Sequence, residues 1–175
     1  QTTKIHYIRL GDSNTQNLPK KISLTDTPGF EENTAQKKTQ QYQDGLFEKL
    51  ILGQLKNFEI TSPIPVSNTR IDPQNAIHAI IFVVDIRTIA TDNFAKLKEL
   101  KKDAERRNIF PIVVLTCSDL YSANVKSDPA STLTDPSILE AVSNFHVKTG
   151  FEKTNIYPLQ NITESRPYHP FVKSR

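Results

Sequence analysis

The sequence predicts an α/β domain of three layers, in which a mostly parallel β-sheet is flanked by helices. Two apolar runs of strand length, residues 76–85 and 109–115, are nearly continuous, which is typical of parallel strands buried on both faces. A segment whose apolar residues have helical spacing follows each run. Three predicted strands also end in polar groups, at the edge where open α/β sheets bind ligands. These groups are Asp26 with Gly29, residues 116–119 and residues 160–163.

The composition indicates one ordinary globular domain. Of the 175 residues, 37% are hydrophobic and 23% are charged, as is usual for such a domain. The net charge of +3 is too small to indicate nucleic acid as a partner, and no apolar run approaches the length of a membrane span. The single cysteine, Cys117, excludes an intrachain disulfide and favours a reducing, cytoplasmic location.

The first predicted elements are two strands, residues 4–10 and 20–26, which we expect to form an antiparallel hairpin. The second strand leads into the sequence DTPG. Asp26 would hold Mg²⁺ directly or through a water molecule, and the N–H of Gly29 could approach a terminal phosphate closely because glycine has no Cβ. The alternative is that DTPG forms only a turn, since Asp, Pro and Gly are all favoured in turns.

The middle of the chain predicts a helix, a loop and the most apolar strand. The apolar residues within residues 34–56 form one helical stripe. Residues 61–74 are rich in proline and predict an extended loop. The buried strand over residues 76–85 follows, and we expect Thr91 or Asp92 to cap the next helix.

The last third of the chain continues the alternation of strands and helices. After the strand over residues 109–115, residues 121–134 predict a polar loop. Asp135 and Gly150 are the expected N-cap and C-terminal stop of a helix, and residues 155–159 are the last strand candidate. Because strand–helix–strand connections are right-handed, the strands should lie parallel and present their carboxyl ends at one edge.

Asp119 follows the second buried strand and is a candidate for recognising a base. A carboxylate held there can accept two parallel N–H bonds from the edge of guanine, and adenine has no matching pair of donors. The alternative is an acidic residue in a strand-to-helix loop or a helix cap, which is common.

Several stretches, taken in their order and spacing, carry a resemblance to a known family. They are TTKIHYIRL with the later DTPG turn, LILGQL, IDPQNAIHAIIFVVD, IFPIVVLTCSDL and YPLQNITES. Together they resemble P-loop GTPases and, more narrowly, the GTPase-like domain of the interferon-induced protein 44 family. The resemblance implies a GTPase-like domain over residues 1–165, a C-terminal tail over residues 166–175, and a setting in the innate immune response.

The resemblance also implies roles by position. It places Mg²⁺ beside Asp26, and a threonine, Thr2 or Thr3, would complete the Mg²⁺ shell in the triphosphate state. GTP or GDP would be the bound nucleotide. The resemblance implies that Gly29 senses the γ-phosphate. It also implies that Thr116 and Asp119 read the base and that Asn161 flanks it.

Three departures from the motifs of that family bear on activity. Cys117 stands where the base-reading motif has a lysine that packs on the guanine plane. Phe30 stands where small GTPases have a glutamine that positions water. No G-x-x-x-x-G-K-[ST] phosphate loop occurs in the sequence. Its place in such a fold precedes the hairpin, so we expect this chain to be a fragment without the first strand and the phosphate loop. The alternative is that the chain is a degenerate relative of the family.

The sequence leaves three functions open. The first is a guanine-nucleotide-binding switch whose GTP hydrolysis is slow or depends on self-association or a protein partner. The second is a pseudo-GTPase that does not hydrolyse GTP and serves as an interaction or assembly module. The third is a metal or turn site at Asp26 and Thr27 on an adhesion-type sheet, for which the expected D-x-S-x-S cluster is missing.

Overall fold

The structure, a computed structural model, describes residues 6–10, 22–26, 48–49, 51–52, 54 and 77–160. The chain divides into two compact units, Gln1–Ile77 and His78–Arg175. The predicted proline-rich loop and the C-terminal tail lie outside the described residues. A single domain over residues 1–165 stays a prediction.

The first unit contains the antiparallel hairpin that the sequence predicts. Strand β1 (His6–Leu10) pairs with β2 (Ile22–Asp26), with His6 opposite Asp26 and Leu10 opposite Ile22. Farther along the chain, residues 48, 49 and 51 have helical backbone. The N–H of Ile77 donates to the carbonyl of Ile51 at 3.3 Å. The remainder of the helix predicted over residues 34–56 lies outside the described residues, apart from residues 52 and 54.

The second unit is built on a parallel sheet of three strands. These are β3 (Ala79–Asp85), β4 (Phe110–Thr116) and β5 (Ile156–Pro158), in the order β3-β4-β5. Asp85 lies opposite Thr116 in the register of the first pair. The carboxyl ends of the strands therefore meet at one edge of the sheet, as predicted. This part of the structure is an α/β fold.

Two long helices and several short ones connect these strands. The α-helices are α1 (Ala95–Arg106), α2 (Ser118–Tyr121), α3 (Ala123–Ser127) and α4 (Pro136–Thr149). Turns of 3-10 helix occur at Ile86–Thr88, Pro129–Leu133 and Lys153–Asn155. None of the helices in the described ranges is both long enough and apolar enough to cross a membrane.

Helix α4 begins and ends where the sequence predicts. The Asp135 carboxylate accepts hydrogen bonds from the N–H groups of Ser137 and Ile138, which would otherwise lack partners in the first turn. Pro136 occupies the first helical position, where its missing N–H costs nothing. Gly150 has φ of 74° and donates its N–H to the His146 carbonyl, so glycine here allows the left-handed end of the helix.

Two predictions about helices are wrong. Helix α1 does not start from a cap at Thr91 or Asp92, because the N-cap is Phe94 with φ of 54°. The Asp92 side chain instead accepts from the N–H of Phe94 at 2.8 Å, a local hydrogen bond that competes with helix formation. The predicted polar loop over residues 121–134 contains α3 and a 3-10 turn, because the side chains of Ser122 and Asp128 cap short helical turns.

The core of the second unit lies on one face of the sheet. Phe82 on β3 makes an edge-on contact with Phe151, with 5.8 Å between ring centroids, and Phe151 also contacts Phe145 of α4. Lys101 of α1 lies over the Phe151 ring. Phe145 in turn packs edge-on against Phe94, just before α1. Both long helices thus share the face of the sheet that carries Phe82.

The opposite face of this sheet is apolar and exposed. Val83 is 69% exposed and Ile81 is 51% exposed, while Phe82 between them is buried. Phe110 and Tyr157 are also exposed. Within the second unit, the helices therefore cover only the face of β3 that carries Phe82. The helices of the second unit form one layer on its sheet, and the three-layer arrangement stays a prediction.

Candidate functional site

The six predicted site residues differ in how far the structure describes them. Asp26 ends β2 in the hairpin, opposite His6. Thr116 ends β4, and Asp119 lies in the first turn of α2. The other three lie outside the described residues: Thr3, Gly29 and Asn161.

The carboxyl edge of the parallel sheet brings two of the predicted loops together. The N–H of Ser118, in the loop after β4, donates to the carbonyl of Leu159, just after β5, at 3.4 Å. The N–H of Leu159 donates to the carbonyl of Leu115 at 2.7 Å, which extends the pairing of β5 with β4. Two hydrogen bonds therefore fix the loop containing Asp119 beside Gln160.

Local backbone geometry determines where Asp119 lies. Cys117 has φ of 64°, in the left-handed region that non-glycine residues rarely adopt. This residue turns the chain from β4 directly into α2. The hydroxyl of Thr116 donates to the carbonyl of Val84 at 3.3 Å, so its proton is used to join β4 to β3.

Asp119 and Ser118 carry buried polar atoms that lack a hydrogen-bond partner within the described part of the chain. These are Oδ1 of Asp119 and Oγ of Ser118, and the Ser118 side chain is fully buried. A buried acceptor without a donor is costly, and natural proteins seldom retain one without a reason. The Asp119 oxygen is therefore an acceptor for which the described part of the chain supplies no donor.

An ion pair that the sequence analysis missed lies at the same edge. Arg87 donates from its backbone N–H and from Nε to Oδ1 of Asp85, both at 2.9 Å, and from Nη2 to Oδ2. These hydrogen bonds from Arg87 lower the pKa of Asp85. The hydrogen bonds to Asp85 and then the charge of Asp85 raise the pKa of Arg87, with smaller contributions from the charges of Cys117 and Asp119. An arginine two residues after a strand-terminal aspartate was the available signal.

The loops behind this edge are held by side chains that serve the structure rather than a ligand. The ammonium group of Lys148, near the end of α4, donates to the carbonyls of Ile89 and Ala90 at 2.5 and 3.0 Å. It thereby fixes the loop that follows the turn carrying Arg87. The Asp135 carboxylate binds Ser122 and Asn124, which holds the segment between α2 and α4.

The described residues offer little for a metal ion by themselves. They contain no group of three or more His, Cys, Asp or Glu side chains that could hold one. Asp26 is the type of oxygen ligand that Mg²⁺ accepts, but Mg²⁺ commonly takes one or two carboxylates and completes its shell with phosphate and water. Asp26 therefore fits Mg²⁺ only together with the phosphates of a nucleotide.

Comparison with known proteins gave no match: no protein-family model, no curated protein and no solved structure matches this chain. The resemblance to the interferon-induced protein 44 family therefore stays a prediction.

Proposed function

We propose that this chain forms the base-binding part of a guanine-nucleotide switch domain of the GTPase type. The observation that carries the proposal is the buried, unpartnered carboxylate oxygen of Asp119 at the carboxyl edge of a parallel sheet. Ligands of open α/β sheets bind at this edge. The edge also holds the segment after β5 against the loop that carries Asp119.

The chemistry of the two purines explains why guanine is the proposed ligand. Guanine has two N–H donors side by side on its edge, and a carboxylate can accept both in parallel. Adenine has no such pair, so it would leave the buried oxygen of Asp119 without donors. Discrimination based on an unpaired buried polar group is strong.

The finer parts of the proposal follow from the family resemblance. We propose a P-loop GTPase-like fold of three layers, in which a further layer covers the exposed face of the parallel sheet. Asp26 and Thr3 would bind Mg²⁺. Gly29 would contact the γ-phosphate, and Asn161 would contact the base. Because Phe30 cannot position water, we propose that GTP hydrolysis is slow or needs self-association or a partner. The proposed setting is cytoplasmic innate immunity.

One observation favours a second function, a pseudo-GTPase that acts as an interaction or assembly module. The exposed face of the parallel sheet presents four large apolar side chains. Exposed apolar patches of this kind often mark sites of protein interaction.

Matched nucleotide pairs test the proposed function. Titration of the full chain with GDP and ADP, which share their phosphates, isolates the contribution of the base. We expect tighter binding of GDP, and we expect Asp119→Ala to remove the difference between the two. Asp103→Ala, on α1, removes an acidic side chain away from this edge and should leave the preference intact. Equal binding of GDP and ADP by the unmodified chain would refute guanine recognition.

A further inference from the structure

Recognition of a base by its edge leaves the two faces of its ring to be covered. Proteins that bind bases commonly stack them on aromatic rings or on the guanidinium plane of arginine. Asp119 could serve the edge of the base. Cys117, at the position where the resembling family has a lysine that packs on the base, cannot cover a face of the ring, because it has neither a ring nor a long side chain.

Arg87 lies beside Asp119 at the carboxyl edge. Asp85 and Thr116 are opposite each other in the sheet register, so the segments that follow them start side by side. The turn Ile86–Thr88 is in contact with helix α2, which carries Asp119. The raised pKa of Arg87 agrees with this placement, since the charge of Asp119 contributes to it.

The guanidinium group of Arg87 is held in a defined orientation. Nε and Nη2 bind the two carboxylate oxygens of Asp85, and the Arg87 backbone N–H binds the same carboxylate. Such a two-point contact fixes the plane of the guanidinium group. The Arg87 side chain is nevertheless 52% exposed, and exposed ion pairs contribute little to stability. We therefore expect the ion pair of Arg87 and Asp85 to matter mainly because it presents the flat guanidinium group of Arg87 to solvent.

Tyr121 also has a planar side chain, and it is close to Asp119 in sequence. It lies two residues after Asp119 in α2, and residues at this spacing point to different sides of a helix. Arg87 approaches from a different element, so it can face a base whose edge is bound by Asp119.

We propose that Arg87 is a base-binding residue whose guanidinium plane, held by Asp85, stacks on the face of the purine that Asp119 binds by its edge. This inference rests on the proposed function. Arg87, just after β3, would cover the face of the base that Cys117, just after β4, cannot cover.

The test compares guanosine with GDP as ligands of the full chain, using Arg87→Ala and Arg87→Lys. Lysine retains the charge but has no plane and cannot bind Asp85 at two points. We expect both variants to bind guanosine and GDP about tenfold more weakly, and by the same factor for the two ligands. Arg106→Lys is the matched control, since Arg106 is also ion-paired and exposed, but on α1. It should bind as the unmodified chain does.

The remaining outcomes distinguish this inference from the proposed function. If Asp119→Ala removes the guanine preference while both Arg87 variants bind normally, the role of Arg87 is refuted and the proposed function stands. Weaker binding of GDP alone would place Arg87 at a phosphate and refute stacking. Failure of the unmodified chain to prefer guanosine over adenosine would refute both. Urea unfolding of each variant checks the fold, and Arg87→Lys decides the question if Arg87→Ala is unfolded.

Discussion

Asp135 shows how a single residue can be strongly perturbed without being part of a site. Its carboxylate accepts hydrogen bonds from the hydroxyls of Ser137 and Ser122, the amide of Asn124 and two backbone N–H groups. The hydrogen bond from the Ser137 hydroxyl makes the largest contribution to the lowered pKa, which is about 2 against an ordinary value of 3.8. Each donor belongs to the protein, so the perturbation reports a structural anchor. Asp119 is the opposite case, because one of its oxygens has no donor in the described residues.

This lowered pKa predicts how stability depends on pH. The folded form of Asp135 binds its proton less readily than the unfolded form, so its contribution is complete above pH 3.8 and is lost as pH falls toward 2. In Ser137→Ala, which removes the main donor, we expect a shallower loss of stability across this window in urea unfolding. Ser131→Ala removes a hydroxyl from an exposed 3-10 turn and should keep the original slope. An unchanged slope in Ser137→Ala would contradict the assignment.

At the scale of elements, the sequence predicts what local chemistry determines. The limits of α4 are evident from Asp135 and Gly150 because both act within one helical turn. The start of α1 is not evident from the sequence, since the side chain of Asp92 binds the N–H of Phe94 and the N-cap lies at Phe94 instead. The exposure of Val83 cannot be predicted from the local sequence pattern either, because it depends on which distant segments cover the sheet. Asp119 could be selected from its place after a strand, whereas the orientation of Arg87 required the structure.

The end of α4 allows a quantitative prediction at this scale. A Cβ added at Gly150 would meet no atom within 4 Å, so the cost of a substitution comes from the backbone, whose φ is 74°. We expect Gly150→Ala to lower the free energy of unfolding by about 1–2 kcal/mol, the cost of the left-handed conformation. Gly150→Asn should cost less, because asparagine tolerates that region. Urea unfolding measures both, and an equal cost for the two variants would point to a cause other than backbone strain.

At the scale of the whole molecule, the exposed apolar face separates the proposed three-layer fold from the proposed use of this face as an interface. A three-layer domain would bury this face within the folded chain, whereas an assembly module would keep it open for a partner. The difference can be measured because burial of a charge is expensive and exposure of one is not. Val83, on this face, and Val147, on α4, are both valines and are 69% and 79% exposed. They form a matched pair for the same substitution.

From the three-layer proposal we expect Val83→Lys to lower the free energy of unfolding by about 2 kcal/mol or more, since lysine would enter a covered apolar face. Val147→Lys should change it by less than about 0.5 kcal/mol, as is usual at exposed sites. Urea unfolding at several protein concentrations provides the comparison, because a concentration-dependent midpoint would reveal association. If Val83→Lys is as harmless as Val147→Lys, the face is open on the folded chain and the three-layer proposal fails. A loss of self-association in that harmless variant would then support the assembly module, with the face as its interface.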